Sequence, residues 1–431
     1  MNKFYIITFG CKLNQYDSAA MEEQLLASSV VKADDYRDAD IVVINTCTVT
    51  AKADSEARRW MRRVKRDNPG CRLLVTGCYA QREPNLLAKI PSVDVVFSNK
   101  EKFELHSILS ELHSGRKPIV RWSDPLQEES AHFYPLRGFS GYTRAFVKIQ
   151  EGCEARCTYC IVPRVRGRPR SLPSRIILEQ IELLVAQEYK ELVLTGVHIG
   201  RWSEEGRGLV QLFQMIEQIK GLPRLRLSSL EPNEVSPELI ELVAASRQIV
   251  PHFHIPLQSG SDRILRFMGR PYTAAYYSRL LEEIRKSIPR ACIGADVIVG
   301  FPGEGEEDFQ QSYDLIGSSP LTYLHVFPFS PRPGTAAAGE RRVCPQREVH
   351  QRTKLLRELS RRKNYQFRLQ FQGEILPCLI IGQKGGGRLL SALSDNYLKL
   401  EVEGEREFIN QIVKVRVTEV TDNITRGCLV P

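Results

Sequence analysis

The chain has no apolar run near the roughly 18 residues that a membrane-spanning helix needs, so no helical span is expected. Its first residues, Met1 to Gly10, go straight into a strand-like run. They lack the longer apolar stretch and small-residue cleavage site of a secretory leader. No disulfide framework is suggested either, because the 11 cysteines are odd in number and unevenly spaced. Together these absences predict a cytoplasmic protein, in a compartment where thiols stay reduced. Acidic residues are in deficit, with 51 Asp and Glu against 60 Lys and Arg. The 431 residues are otherwise ordinary for a globular chain, at 42% apolar and 26% charged, and suffice for about two to three domains with buried cores.

The excess of positive charge is clustered. Ten Lys and Arg lie between Arg341 and Arg368, opposed only by Glu348 and Glu358. A second basic run spans Arg58 to Arg66 on a predicted helix, and a third holds Arg164, Arg166, Arg168 and Arg170. One basic helix is commonly just a solvated face. Three such tracts favour a polyanionic partner, with nucleic acid the leading candidate.

The third basic tract follows Cys153, Cys157 and Cys160, in the run Glu-Gly-Cys-Glu-Ala-Arg-Cys-Thr-Tyr-Cys. Three thiolates on one tight loop suit a cuboidal iron–sulfur cluster with one iron left open, unlike the four-cysteine clusters that only carry electrons. A zinc site or three buried core cysteines are the alternatives. Zinc prefers paired knuckle spacings with a fourth Cys or His nearby, and no such ligand follows at that spacing.

Along the chain, residues 1–115 alternate apolar runs (Phe4–Phe9, Ile41–Asn45, Leu73–Thr76, Val93–Phe97) with helical patterns near Ser18–Ser28, Asp54–Arg66 and Glu83–Ile90. This alternation predicts a parallel α/β sheet. Residues 116–138 read as a linker. Residues 139–368 repeat the alternation, with strands at Arg144–Ile149, Glu191–Thr195, Arg224–Ser228, His252–Ile255, Cys292–Val299 and Tyr323–Pro328. That pattern fits a (βα)-repeat sheet or partial barrel whose chemistry sits at the C-terminal strand ends. Residues 369–431 hold strand candidates at Glu374–Ile381, Arg388–Ala392, Tyr397–Val402 and Gln411–Val420, with a Gly-Gly-Gly turn at 385–387. A small antiparallel β-barrel, RNA-binding or merely a structural cap, is expected there.

Cys11, Cys47 and Cys78 each stand just past one of the first three strands. In a parallel sheet such strand ends converge on one crevice, so the three could meet in space and hold a second open-iron cluster. The bland alternative is three separate buried thiols.

The triplet around Tyr159 resembles the radical S-adenosylmethionine superfamily. The ordered set of motifs resembles, over essentially the whole chain, the methylthiotransferases within it. It comprises Gly-Cys-Lys-Leu-Asn-Gln-Tyr-Asp-Ser (10–18), Asn-Thr-Cys-Thr-Val-Thr (45–50), Thr-Gly-Cys-Tyr-Ala-Gln (76–81) and Cys-Thr-Tyr-Cys-Ile-Val-Pro (157–163). Further on come Arg-Gly-Arg-Pro-Arg-Ser (166–171), Leu-Thr-Gly-Val-His-Ile-Gly (194–200), Ser-Ser-Leu-Glu-Pro (228–232) and His-Ile-Pro-Leu-Gln-Ser-Gly-Ser (254–261). Asp-Val-Ile-Val-Gly-Phe-Pro-Gly-Glu (296–304) and Phe-Ser-Pro-Arg-Pro-Gly-Thr (329–335) complete it.

The resemblance implies an N-terminal methylthiotransferase domain (1–115), a radical core (139–368) and a C-terminal TRAM RNA-binding domain (369–431). It implies two 4Fe-4S clusters, the radical one on Cys153, Cys157 and Cys160 and an auxiliary one on Cys11, Cys47 and Cys78. One S-adenosylmethionine methylates a sulfur held on the auxiliary cluster; a second yields a radical that removes a hydrogen atom from the substrate. Contacts to S-adenosylmethionine are expected from Tyr159, Gly196, Glu231, Gln258, Asp296 and Gly300. Arg166, Arg168 and Arg170 are expected to hold phosphate or carboxylate. His254 is read as positional, with no catalytic residue beyond the clusters. The expected partners are the anticodon stem-loop of tRNA and an electron donor such as a flavodoxin or ferredoxin.

The Gly-Cys-Lys-Leu-Asn-Gln segment resembles the branch acting on N6-threonylcarbamoyladenosine. The isopentenyladenosine branch typically reads Gly-Cys-Gln-Met-Asn, and the ribosomal-protein branch Gly-Cys-Pro-Lys-Asn. Arg164 and Leu172 depart from the family pattern beside the cluster. Same-chemistry rivals are isopentenyladenosine and a ribosomal-protein aspartate; the remote rival is a non-catalytic RNA-binding iron–sulfur protein. Cys71, Cys292, Cys344, Cys378 and Cys428 match no motif and are read as structural.

Overall fold

The computed structural model describes residues 3–111, 118–340, 344–385 and 387–430. Arg341, Arg342 and Gly386, which belong to features read from the sequence, lie outside the described residues, as do the first residues of the expected linker.

The first unit is a six-stranded parallel sheet. Its strands are β1 (Lys3–Thr8), β2 (Val31–Lys32), β3 (Ile41–Thr46), β4 (Arg72–Gly77), β5 (Val95–Phe97) and β6 (Ile119–Arg121), in the order β2-β1-β3-β4-β5-β6. Strand β3 (Ile-Val-Val-Ile-Asn-Thr) is buried along its whole length, because helices cover both faces of a parallel sheet. Val42, Ile44, Leu73 and Val75 meet Ala57, Met61 and Val64 of helix Ala51–Asp67 on one face. Val43, Leu74 and Val95 meet Met21 and Leu25 of helix Lys12–Ala27 on the other.

The second unit continues with β7 (Ala145–Lys148), a short antiparallel pair β8 (Gln150–Glu151) and β9 (Arg170–Ser171), then β10 (Glu191–Thr195) and β11 (Arg224–Leu227). It ends with β12 (His252–His254), β13 (Cys292–Val299) and β14 (Tyr323–Pro328). Two parallel three-stranded sheets, β11-β10-β7 and β12-β13-β14, are joined by bridges Leu225–Ile249 and Ser229–His254. They form one partial barrel. Its outer helices pack leucine, isoleucine and phenylalanine side chains onto the strands, as with Leu184, Phe213 and Leu281.

The third unit is a closed five-stranded barrel of β15 (Ile375–Gln383), β16 (Leu389–Ser394), β17 (Lys399–Glu403), β18 (Ile412–Val420) and β19 (Thr425–Val430). All its pairings are antiparallel except β17 with β19, where the closing strand returns parallel.

Several elements differ from the sequence reading, among them the short pair β8 and β9. Strand β6 lies inside the stretch read as linker, adding a sixth strand at the sheet edge. Strands β2 and β19 carry too little alternation to announce themselves. Helix Lys12–Ala27 begins six residues before the expected Ser18, because its first turns bury Asn14, Asp17 and Ser18 where apolar periodicity would require hydrocarbon.

Candidate functional site

The Cys153–Cys160 loop follows β8 at the C-terminal end of the first barrel strand. It leaves all three thiols half-buried and free. Polar donors surround them. The Ala155 N–H donates to Cys153 Sγ at 3.4 Å, and Arg270 Nη1 donates to Cys157 Sγ at 3.2 Å. His198 Nδ1 lies 3.4 Å from Cys153 Sγ, with its Nε2 2.7 Å from Glu234. Burial alone would push His198 down, but its contacts with Cys153 and Glu234 outweigh burial and raise it to about 10. Burial pushes the Cys160 thiol up to about 12, partly opposed by the Val162 N–H. Three such thiols ionise together only when a cationic group neutralises them. The donor set of sulfurs, each given a second contact, therefore fits an iron–sulfur cluster.

Cys11, Cys47 and Cys78 are brought together. Cys11 caps helix Lys12–Ala27, and Cys78 opens helix Cys78–Arg82, positions where the helix N-terminus favours a thiolate. Cys78 lies within electrostatic reach of both other thiols, and Cys11 within reach of Cys47. Burial pushes Cys47 up to about 12, with Cys78 and Cys11 adding to it and the Val49 and Thr48 N–H groups opposing. Two glycines make the convergence possible. Gly10 (φ +100°) approaches so closely that a Cβ there would lie 3.2 Å from Cys47 Sγ. Gly77 (φ +96°) passes Thr46 with no room at all, since a Cβ would lie 2.2 Å from the Thr46 carbonyl. This triplet also fits a cluster with three protein ligands.

The two cysteine-bearing segments adjoin. Cys78 packs on Ile161 and Val165, the residues following Cys160. A cavity of about 190 Å³ lies between the units, lined by Val49 and Thr50 just after Cys47 and by Tyr159, Cys160, Gln258 and Asp296 across from them.

Tyr159 packs edge-on against Phe301 at 6.3 Å. Gln258 holds a left-handed backbone (φ 65°) with its N–H on the Asp296 carbonyl. Asp296 accepts from His254 (3.0 Å) and His325 (3.2 Å); these contacts overcome burial and hold its carboxyl below the usual range. Glu231 is paired with Arg270, so its contact runs to the Cys157 ligand shell. Gly196 packs on β8, where a Cβ would lie 2.8 Å from the Gln150 carbonyl. Gly300 faces helix Gln346–Leu369 at Val349, away from the lining of this cavity.

The arginines divide. Arg168 is exposed. Arg166 is buried and donates to Asp17 (2.9 Å), Glu151 (2.8 Å), Asn14 and Cys78 Sγ (3.4 Å). Arg170 is buried against the carbonyls of Pro125, Glu128 and Arg166. Of the three residues expected to meet phosphate or carboxylate, two are therefore committed within the protein. Lys102 pairs with Asp17 and Lys148 with Glu151, completing a buried charge cluster between the sheet and the barrel. Sequence reasoning missed Arg270, Glu234 and this cluster. His198 stood in a quoted motif, but nothing in spacing marked its partner.

Deeper in the barrel, Arg226 forks onto Glu191 at 2.8 and 2.9 Å, and Arg144 lies 3.5 Å from Glu191. Lys12 reaches toward the same group; burial lowers its ammonium to about 8, with Arg144 and Arg226 adding like charge. Tyr397, from the turn before β17, closes the floor by stacking on His252 at 4.1 Å and lying 5.0 Å beneath Arg226.

Residues 3–98 match the family described as "Uncharacterized protein family UPF0004", and residues 147–316 match the Radical SAM superfamily. A relative from Aquifex aeolicus, named threonylcarbamoyladenosine tRNA methylthiotransferase MtaB, is 38% identical over 95% of this chain and 98% of its own. A Bacillus subtilis protein of the same name is 35% identical over 95% of this chain and 92% of its own. Among solved structures, the radical S-adenosylmethionine methyltransferase TsrM from Kitasatospora setae superposes with a TM-score of 0.59. It is 15% identical and covers 78% of this chain and 75% of its own, a likeness of fold. No helix among the described residues is long and apolar enough to cross a membrane.

Proposed function

The chain belongs to the radical S-adenosylmethionine methylthiotransferase family, and from that premise we propose that it methylthiolates C2 of N6-threonylcarbamoyladenosine beside the anticodon of tRNA. The observation that carries this reading is that Cys160 and the residues after Cys47 line one cavity, while Cys78 packs on the segment after Cys160. A C2–H is neither acidic nor electrophilic enough for acid–base or nucleophilic catalysis, so hydrogen removal and sulfur delivery must occur at adjacent places. Cys153, Cys157 and Cys160 would hold a radical cluster, which would supply the electron for cleaving S-adenosylmethionine, and Cys11, Cys47 and Cys78 would hold an auxiliary cluster, which would supply the methylthio sulfur.

The chain's own residues do the rest. Arg270 and His198 contact the Cys157 and Cys153 sulfurs and fix their orientation. Tyr159, Ile298, Phe327 and Phe329 give the cavity an apolar wall that suits an adenine ring. Arg166 ties the Cys78 sulfur to Glu151, two residues before Cys153, and so fixes one triplet relative to the other. Helix Gln346–Leu369 exposes Arg347, Lys354, Arg357, Arg361 and Arg362, which suits a tRNA backbone, and Arg168 is exposed as well. Single electrons would come from a flavodoxin or ferredoxin.

The test is nucleoside mass spectrometry on tRNA from a strain lacking the gene, before and after complementation. Loss and return of 2-methylthio-N6-threonylcarbamoyladenosine is expected. Loss of the isopentenyl-linked nucleoside instead would overturn the substrate assignment. Absence of S-adenosylmethionine cleavage by the reduced protein would overturn the enzyme.

A further inference from the structure

The interior of the partial barrel carries more positive charge than its own acids can satisfy. Glu191 is the carboxylate of this group, and it is shared by Arg226 and Arg144. Lys12 lies within electrostatic reach of both arginines, and among the described residues it makes no hydrogen bond or ion pair. Arg226 is fully buried, yet its Nη1 has no acceptor. The other ionisable groups here do not balance the excess. His252 stacks on Tyr397 and His254 donates to Asp296, which is already shared with His325. Gathering one fully buried and two half-buried cations around one carboxylate is costly unless a further anion arrives. An unsatisfied guanidinium nitrogen in the interior of the barrel marks where that anion belongs.

We infer that Lys12 and Arg226 bind the carboxylate of the substrate's N6-threonylcarbamoyl group and thereby select the branch of substrate. The inference rests on the substrate reading above and deepens it. Purine chemistry gives the geometry. C2 and C6 both flank N1, so a substituent on N6 leaves from the same edge as the reacting C2–H. An adenine whose C2 is presented to the Cys11 triplet therefore places that substituent beside residue 12. An isopentenyl group offers no charge, and an unpaired lysine would then meet hydrocarbon. The arginines expected to read a carboxylate, Arg166 and Arg170, are already occupied. Tyr397 lies 5.0 Å beneath Arg226 and shields that side of the guanidinium with its ring.

The experiment uses the reconstituted full chain and synthetic anticodon stem-loops. One carries N6-threonylcarbamoyladenosine, one the same group with its carboxylate converted to the methyl amide, and one isopentenyladenosine. Dissociation constants come from fluorescence anisotropy and products from mass spectrometry. The wild type should bind the acid about tenfold or more tighter than the amide, the contribution of a charge-assisted hydrogen bond. Lys12→Gln should bring the two within about twofold, and Lys12→Arg should restore the preference. Because Lys12 makes no ion pair or hydrogen bond among the described residues, the substitution breaks none in the fold. A Lys12→Gln variant that keeps the wild-type preference overturns the inference. So does a wild type that converts the acid without preferring it to the amide, a result that leaves the substrate reading intact. A wild type that converts only the isopentenyl stem-loop overturns both.

Discussion

Replacing Arg166 with methionine tests whether the two cysteine triplets are held in register by buried charge. Arg166 meets Asp17 and Glu151, with both carboxylates essentially buried, and it also reaches Asn14 and Cys78. Breaking a buried pair by removing one partner costs about 3–5 kcal/mol, because the remaining charge stays desolvated. Here Lys102 still faces Asp17 and Lys148 still faces Glu151, so two acids keep two cations. The expected loss therefore sits at the low end, about 3 kcal/mol. Arg166→Lys keeps the charge but cannot span both acids with one ammonium, and should fall between. Equilibrium urea unfolding followed by circular dichroism reads the difference. A loss of about 1 kcal/mol or less, typical of an exposed pair, would refute the view that this arginine clamps sheet to barrel.

Asp17 and Glu151 also set an acid limit. Burial alone would raise them, but the surrounding cations more than reverse this, so both carboxyls lie below their ordinary range in the folded chain. Their contribution is complete above about pH 5 and is lost as pH falls through the ordinary carboxylate range and on through the depressed values; urea midpoints should be flat from neutral pH to about 5 and then drop. Gly77→Ala places a Cβ against the Thr46 carbonyl in a left-handed conformation, costing about 1–3 kcal/mol in strain before the clash is counted. Anaerobic iron analysis should show Cys78 displaced, with iron lost while S-adenosylmethionine cleavage persists; full iron retention would contradict this. Tyr397→Ala removes a ring stacked on His252 and under Arg226, about 2 kcal/mol together, and limited proteolysis should release the C-terminal barrel sooner. Neutralising Lys354, Arg357 and Arg361 should weaken tRNA binding and make log K fall less steeply with log salt, by about one unit of slope for each phosphate that no longer meets a cation.

The parallel sheet, the partial barrel and the C-terminal barrel were legible because each strand is a short apolar run bounded by turns. The cysteine triplets were legible from their spacing and their placement after strands. Burial patterns were less legible where the interior is polar. Asp17, Lys102, Lys148, Glu151 and Arg166 come from separated segments and neutralise one another only in three dimensions. The Arg166–Arg170 tract read as a phosphate surface for that reason: sequence displays the charges but not the acids folded against them. Lys12 was legible as a branch marker and illegible as an unpaired cation, since Arg144, Arg226 and Glu191 lie far along the chain. Four of the five unassigned cysteines, Cys71, Cys292, Cys344 and Cys378, are buried, while Cys428 is exposed.

The most direct measurement is iron and sulfide per chain after anaerobic reconstitution, for the wild type and for triple alanine variants of each cysteine set. Two clusters facing one cavity predict about eight irons, falling to about four in the Cys153/Cys157/Cys160→Ala variant and in the Cys11/Cys47/Cys78→Ala variant alike. About four irons in the wild type, unchanged when Cys11, Cys47 and Cys78 are replaced, would contradict the account and leave a radical enzyme with no second site to deliver sulfur.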